Sequence, residues 1–268
     1  MERAFKKLFD DCVDHYATER ERLPYFRAQI EIMLSMLARE RAGTVLDIGC
    51  AAGSEIPALR SLGHKVIGAD LSEKMLQSCC ERFAGDQAVQ VLCAEADRIP
   101  LAADSVDHVV CLGVFEYLRD YSPALKEIAR VLRSGGVLVL AIPRALSVYN
   151  ITERAVEATI APLWRAVRRR GGGRQNGSPD TPRTNFCLPG RLRKLLREHC
   201  LRPERDAYTN YFLYPLDRFP ALDVKVAAAL EPLARVPLLR LGASVYIVCA
   251  RKEPAGHVIG RTESGRSQ

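Results

Sequence analysis

The chain has 268 residues, 48% hydrophobic and 26% charged, which is the balance of a globular protein with enough apolar material for one core. No window approaches the run of about 20 apolar residues that spans a bilayer, and the charged segment Met1–Asp14 lacks the apolar centre of a secretory signal. The net charge of +7 is local, because Arg165–Arg205 holds 12 Lys/Arg against 3 Asp/Glu and leaves the remainder at −2.

Pro24–Arg39 reads as a helix, with Phe26, Ile30, Met33, Leu34 and Leu37 at helical spacing. A strand is expected at Thr44–Ile48, ending in a glycine-containing bend, and helical sequence resumes from Ser54 to Leu62. Lys65–Ala69 is the second strand. Ser72 can cap a helix that buries Met75, Leu76, Cys79 and Phe83. Ala88–Cys93 and Val106–Leu112 are the third and fourth strands. Ser122-Pro123 has the signature of a helix start, with Leu125, Ile128, Ala129 and Leu132 as its stripe and Gly135-Gly136 as its stop. Val137–Ile142 is the fifth strand, ended by Pro143. Nearly continuous apolar strands alternating with helices imply an open, doubly wound parallel sheet.

The order breaks after residue 143. Residues 144–188 read as an insertion, partly flexible, with an apolar stretch from Ile151 to Val167 followed by a Gly-, Pro- and Arg-rich run. Pro189–Cys200 reads as a basic helix, Tyr208–Leu213 as a strand, Leu222–Leu233 as a helix and Ser244–Ala250 as the last strand. The expected units are a helical cap (1–42), a core (43–143), the insertion (144–188), the C-terminal part of the sheet with more cap (189–252) and a disordered tail (253–268).

The nine cysteines are scattered, odd in number and without a CxxC pair, which favours reduced thiols in the cytosol over a disulfide framework or a zinc site. Cys93, Cys111 and Cys249 lie in apolar runs, where a thiol acts as a small hydrophobe.

The stretch VLDIGCAAG (Val45–Gly53), followed by VIGADLS (Val66–Ser72), carries the chemistry. A buried strand delivers Asp47 and Gly49 to its carboxyl end, where ligands of open α/β sheets bind. Gly49 permits close backbone approach, and Gly53 suits the turn and helix–sheet packing. Asp70, at the end of the second strand, can accept both hydroxyl hydrogens of a ribose. A lone glycine-rich turn is also compatible with plain packing. The dinucleotide fingerprint GxGxxG would need glycine at 51 and glycine or alanine at 54. Ala51 and Ser54 therefore disfavour a nicotinamide cofactor.

Here the sequence resembles the class I S-adenosylmethionine-dependent methyltransferases, in particular the small-molecule group called type 11. VLDIGCAAG resembles the first motif, GADLSEKML the acidic second, AEADRIPLAADSVDHVVCLGVFEYLRD the third and fourth strands with their loops, and EIARVLRSGGVLVLAIP the closing helix and strand. The resemblance spans roughly residues 25–143 and implies a Rossmann-like, mostly parallel seven-stranded sheet with an antiparallel last strand and a helical cap or insertion. It implies S-adenosyl-L-methionine as cofactor. Asp47, Gly49 and Gly53 would line its methionine part, Asp70 its ribose, and Leu71, Glu95 and Ala96 its adenine, with Cys50, Ala51 and Met75 also among the cofactor-binding residues. Leu112 and Gly113 would lie near the sulfonium. Ala51 departs from the commoner middle glycine. Tyr117 stands where many members carry histidine, which weakens the transfer of a base to that position.

Methyl transfer from a sulfonium needs orientation and water exclusion, no metal, and a base only for some acceptors. Candidate bases or contacts are Glu116, His15 and Tyr117, with Tyr16 beside His15. His64 reads as a solvent-facing turn residue, His108 as packed or outward-facing, and His199 as a helix end. The implied reaction is transfer to a small or lipid-like acceptor. An RNA methyltransferase and a non-catalytic partner protein stay open. The absence of aromatics at residues 165–185 counts against nucleic acid. Tyr208–Pro220 can wall a pocket or pack the last strands, and Leu222–Leu241 reads as a lid or a patch that rests on anionic membrane.

Overall fold

The computed structural model describes residues 6, 9–11, 13, 16, 20–152, 185–211, 225–226, 229 and 239–254. Helix α1 is Pro24–Leu37 and is followed by strand β1 (Thr44–Ile48), α2 (Ile56–Ser61), β2 (Lys65–Asp70), α3 (Glu73–Arg82), β3 (Val89–Cys93) and β4 (Val106–Leu112). Then come α4 (Ser122–Val131), β5 (Leu132–Pro143), α5 (Pro189–Glu198), β6 (Leu201–Thr209) and β7 (Val245–Lys252). The described strands form a seven-stranded sheet in the order β3-β2-β1-β4-β5-β7-β6. The β1, β2, β3, β4 and β5 pairings are parallel, and β7 runs antiparallel to both neighbours. The chain winds outward in opposite directions from β1 and from β4, so the crevice between their carboxyl ends is the switch point of the sheet.

The alternation of strand side chains builds two cores. Leu46, Ile48, Val109 and Cys111 pack with Leu125, Ile128, Leu192 and Leu196 of α4 and α5 on one face. Val45, Val110 and Leu112 pack with Met33, Leu37, Ile56, Leu59 and Cys79 of α1, α2 and α3 on the other. Ser72 caps α3 by accepting the Met75 N–H at 3.1 Å, with Glu73 in the first turn and Arg82 in the last, as the helix dipole favours.

Several sequence expectations need correction. Helix α4 ends at Val131, and β5 already begins at Leu132; Gly135-Gly136 lies inside that strand. A Cβ at Gly136 would stand 2.5 Å from the Asp107 carbonyl, so that glycine answers to strand crowding. Tyr121, not Ser122, is the α4 N-cap residue. Strand β6 covers Leu201–Thr209 rather than Tyr208–Leu213; its half-buried, charge-rich pattern is that of an edge strand. Cys93 is exposed because β3 is the opposite edge, whereas Cys111 and Cys249 are buried. His64 is buried, not solvent-facing. Its Nδ1 accepts the Gly43 N–H at 3.1 Å, and its ring meets His108 edge-on at 5.2 Å. His108 packs inward and donates from Nε2 to the Arg41 carbonyl. His199 follows α5 and bonds Ser122 Oγ through Nε2 at 2.8 Å. The Arg-rich run, the tail beyond 254, His15 and most of Leu222–Leu241 lie outside the described residues. No helix among the described residues is long and apolar enough to cross a membrane.

Candidate functional site

The bend after β1 has three left-handed residues: Gly49 (φ +77°), Ala51 (φ +45°) and Gly53 (φ +79°). The N–H groups of Gly49 and Cys50 both donate to the Ala69 carbonyl, at 2.7 and 3.1 Å, which pins the bend to β2. The Asp70 carboxylate completes the tie, accepting the Ala51 N–H at 2.9 Å on Oδ2 and the Ser72 N–H at 2.8 Å on Oδ1. A Cβ on Gly49 would lie 2.1 Å from Val114 Cγ2, and one on Gly53 would meet Phe83 Cε2 at 2.6 Å and Cys79 Sγ at 2.9 Å. Gly49 thus keeps the crevice open, while Gly53 serves the packing of α3.

Ala51 adopts a left-handed conformation that costs an alanine about 1–2 kcal/mol. Glycine would remove that strain and give back about 0.5–1 kcal/mol of chain entropy. Ala51→Gly should therefore change the unfolding free energy by less than about 1 kcal/mol. Urea titration of both proteins checks this, and a larger loss would mean that the Ala51 methyl is needed for packing.

One crevice is lined by Gly49, Ala51, Asp70, Leu71, Glu95, Ala96, Leu112, Gly113 and Tyr117, together with Val114 and Leu118. Lys6, Phe9, Tyr16 and Arg20 wall it from the N-terminal segment. Of the other residues singled out in the sequence, Asp47, Cys50, Gly53 and Met75 are not in the lining. Met75 is fully buried against Ala51 and Ala52. Cys50 turns toward the sheet, its Sγ 2.8 Å from where a Gly68 Cβ would stand. Asp47 is 1% exposed, and its Oδ2 has no hydrogen-bond partner. Burial, reinforced by the neighbouring Glu55, lifts its carboxyl well above the usual range, against the pull of Arg20. Burial also raises Asp70, opposed by its backbone N–H donors.

Arg20 and Glu55 gave no sequence signal. Arg20 Nη2 meets Glu55 Oε1 at 3.0 Å and donates to the Leu112 carbonyl at 3.4 Å. The same guanidinium bonds the Tyr16 hydroxyl and stacks over Phe26 at 4.4 Å. Glu116 follows β4 in a short 3-10 turn, Phe115–Tyr117, and burial pushes its carboxyl up to about 7 although Arg20 pulls it down. It faces a second cavity beside the crevice. Tyr208 packs against Tyr246 at 5.2 Å, with Arg144 over its ring; Phe212 to Pro220 lie outside the described residues.

Residues 46–140 match the model of a family described as a methyltransferase domain. Among curated proteins, the chain is 30% identical over 125 residues to a demethylmenaquinone methyltransferase of Clavibacter sepedonicus, covering 44% of this chain and 51% of the relative. It is 31% identical over 139 residues to a malonyl-[acyl-carrier protein] O-methyltransferase of Marinomonas sp., covering 51% of this chain and 50% of the relative. The matches thus span about half the length of these relatives. Among solved structures, a Haloferax volcanii chain in complex with the Trm112 methyltransferase activator superposes with a TM-score of 0.61 at 23% identity, covering 92% of this chain and 98% of that one. The 1,6-didemethyltoxoflavin-N1-methyltransferase of Burkholderia thailandensis, solved with its acceptor and S-adenosylhomocysteine, gives 0.59 at 14% identity, covering 94% and 88%.

Proposed function

We propose, from the match of residues 46–140 to a methyltransferase domain, that the chain is an S-adenosylmethionine-dependent methyltransferase acting on a small or lipid-like acceptor. The observation that carries the proposal is the pairing of a left-handed glycine bend on β1 with Asp70 at the end of β2, both lining one crevice at the switch point. The donor set suits the cofactor. Asp47, beneath the bend, keeps a buried carboxyl oxygen without a hydrogen-bond partner, which a donor reaching the bend would satisfy. A Cβ at Gly49 would displace Val114, which lines the crevice, so glycine at this position leaves that wall in place.

In this reading Gly49 and Ala51 hold the methionine part, Asp70 the ribose hydroxyls, and Leu71, Glu95 and Ala96 the adenine. Asp47 acts from beneath the bend. Both Asp70 oxygens already accept a backbone N–H, yet a carboxylate has about four acceptor sites, so ribose contacts can be added. When bound, the cofactor supplies a methyl group on a positively charged sulfur. The protein orients the acceptor for in-line attack and excludes water, to which Phe9, Tyr16 and Tyr117 contribute by walling the crevice.

Isothermal titration with S-adenosylmethionine tests the proposal. The parent chain should bind. Asp70→Ala should weaken binding about 30-fold, near 2 kcal/mol, through lost charge-assisted hydrogen bonds and a loosened bend. Equal affinity in a folded Asp70→Ala protein removes the ribose assignment, and absence of binding by the parent removes the proposal.

A further inference from the structure

The second cavity has a volume of about 560 Å³ and shares Tyr16, Arg20, Gly113 and Tyr117 with the cofactor crevice. Its other walls include Asp11, Tyr25, Phe26 and Glu116. The two spaces meet at Gly113. That residue has φ +81°, and the nearest atom to a Cβ built there would be Glu116 Oε1, at 3.7 Å. The Arg20 guanidinium and the Glu116 carboxylate both lie within 4 Å of that point, at the edge of the two spaces.

The charges in this chamber are unequally committed. The Arg20 guanidinium is held by Glu55, the Leu112 carbonyl and Tyr16, and stacks on Phe26. Glu116 Oε2 is buried with no hydrogen-bond partner, a condition that costs free energy until a donor arrives. The uncompensated charge is therefore negative, and the surrounding walls are aromatic, which suits a cation on an apolar body.

Resting on the methyltransferase reading, we propose that this chamber takes an acceptor bearing an amine on an aromatic or apolar body, with Glu116 holding the ammonium and accepting its proton. Proton transfer leaves a neutral amine and a carboxylic acid. The nitrogen lone pair then forms the N–C bond as the C–S bond breaks, and that bond's electron pair remains on sulfur. The product is an N-methylammonium, and Glu116 releases its proton to water. The groups facing Glu116 are Asp11, Tyr16 and Arg20 from the N-terminal segment, Tyr25 on α1, Tyr117 on its own turn, Cys111 on β4 and Tyr121 before α4. Because burial holds the carboxyl at about 7, its charge develops between pH 6 and 8.

The test is calorimetric titration of the full chain, loaded with S-adenosylhomocysteine, with 2-phenylethylamine, tyramine and tryptamine. Phenylacetate and 2-phenylethanol serve as controls. The amines should bind about tenfold more tightly than phenylacetate at pH 8, and Glu116→Gln should lose about tenfold for amines while keeping 2-phenylethanol. In the parent chain, amine affinity should fall about tenfold from pH 8 to pH 6 while that of 2-phenylethanol stays flat, so the inference is testable even if the variant misfolds. Equal binding of phenylacetate, a flat amine profile, or no amine binding overturns the inference. If S-adenosylhomocysteine binds in such a result, the methyltransferase reading survives; if it does not, both fall.

Discussion

Gly49→Ala should lower the unfolding free energy by about 3 kcal/mol and abolish S-adenosylmethionine binding. Two independent effects add. The left-handed backbone at φ +77° costs an L-residue about 1–2 kcal/mol, and the new methyl would lie 2.1 Å from Val114 Cγ2, an overlap of the kind that costs about 1–3 kcal/mol in packed regions. For a chain of this size the melting temperature should fall by roughly 9 °C. Adding Val114→Ala removes the steric part and leaves the conformational part, so the double variant should recover about half of the loss. Val114 also lines the crevice, so relief that comes from pushing it aside would narrow the space the cofactor needs. A melting temperature within about 2 °C of the parent would show that the bend tolerates a side chain and that the cradle argument is wrong.

The contrast with Ala51 shows what made this region legible. Both residues are left-handed, but only at Gly49 does a neighbouring element occupy the space of a side chain. Sequence reasoning places the bend because its determinants are local: a buried strand, glycine, then helix. Asp70 is readable for the same reason, since it ends the next apolar run. The doubly wound sheet follows from apolar strands alternating with helices, and the antiparallel β7 came from family resemblance.

What was not legible depends on distance along the chain. His64 sits in Gly-His-Lys-Val, which looks like a surface turn. It is buried because Gly43 and His108, both remote in sequence, close over it. Gly135-Gly136 looks like a helix stop, yet β4 captures the chain from Leu132 onward through the Val106–Leu132 pairing. The RPERDA run of β6 has no apolar stretch to mark a strand; its pairing with β7 makes it one. Cys50 and Met75 lie in the right motif but turn away from the crevice, a matter of side-chain direction that spacing does not encode.

The pairing of Arg20 with Glu55 was the least legible feature of the site, and its removal should have the largest effect on stability. Glu55 is 2% exposed, and its carboxyl is raised by burial against the pull of Arg20. Arg20→Met keeps much of the apolar stem over Phe26 but leaves Glu55 as a buried acid without its cation. Loss of one partner of a buried pair costs about 3–5 kcal/mol. The double variant Arg20→Met/Glu55→Met should be much closer to the parent, because removing both charges also removes both desolvation penalties. The two outcomes separate a pair that stabilises the fold from one that positions the site. In the positioning case the double variant is stable in urea but still binds S-adenosylmethionine weakly, because Arg20 no longer holds Tyr16 and the Leu112 carbonyl at the crevice wall. If Arg20→Met unfolds with a loss below about 1 kcal/mol, the carboxylate has taken up a proton or met water, and the N-terminal segment is not docked through this pair.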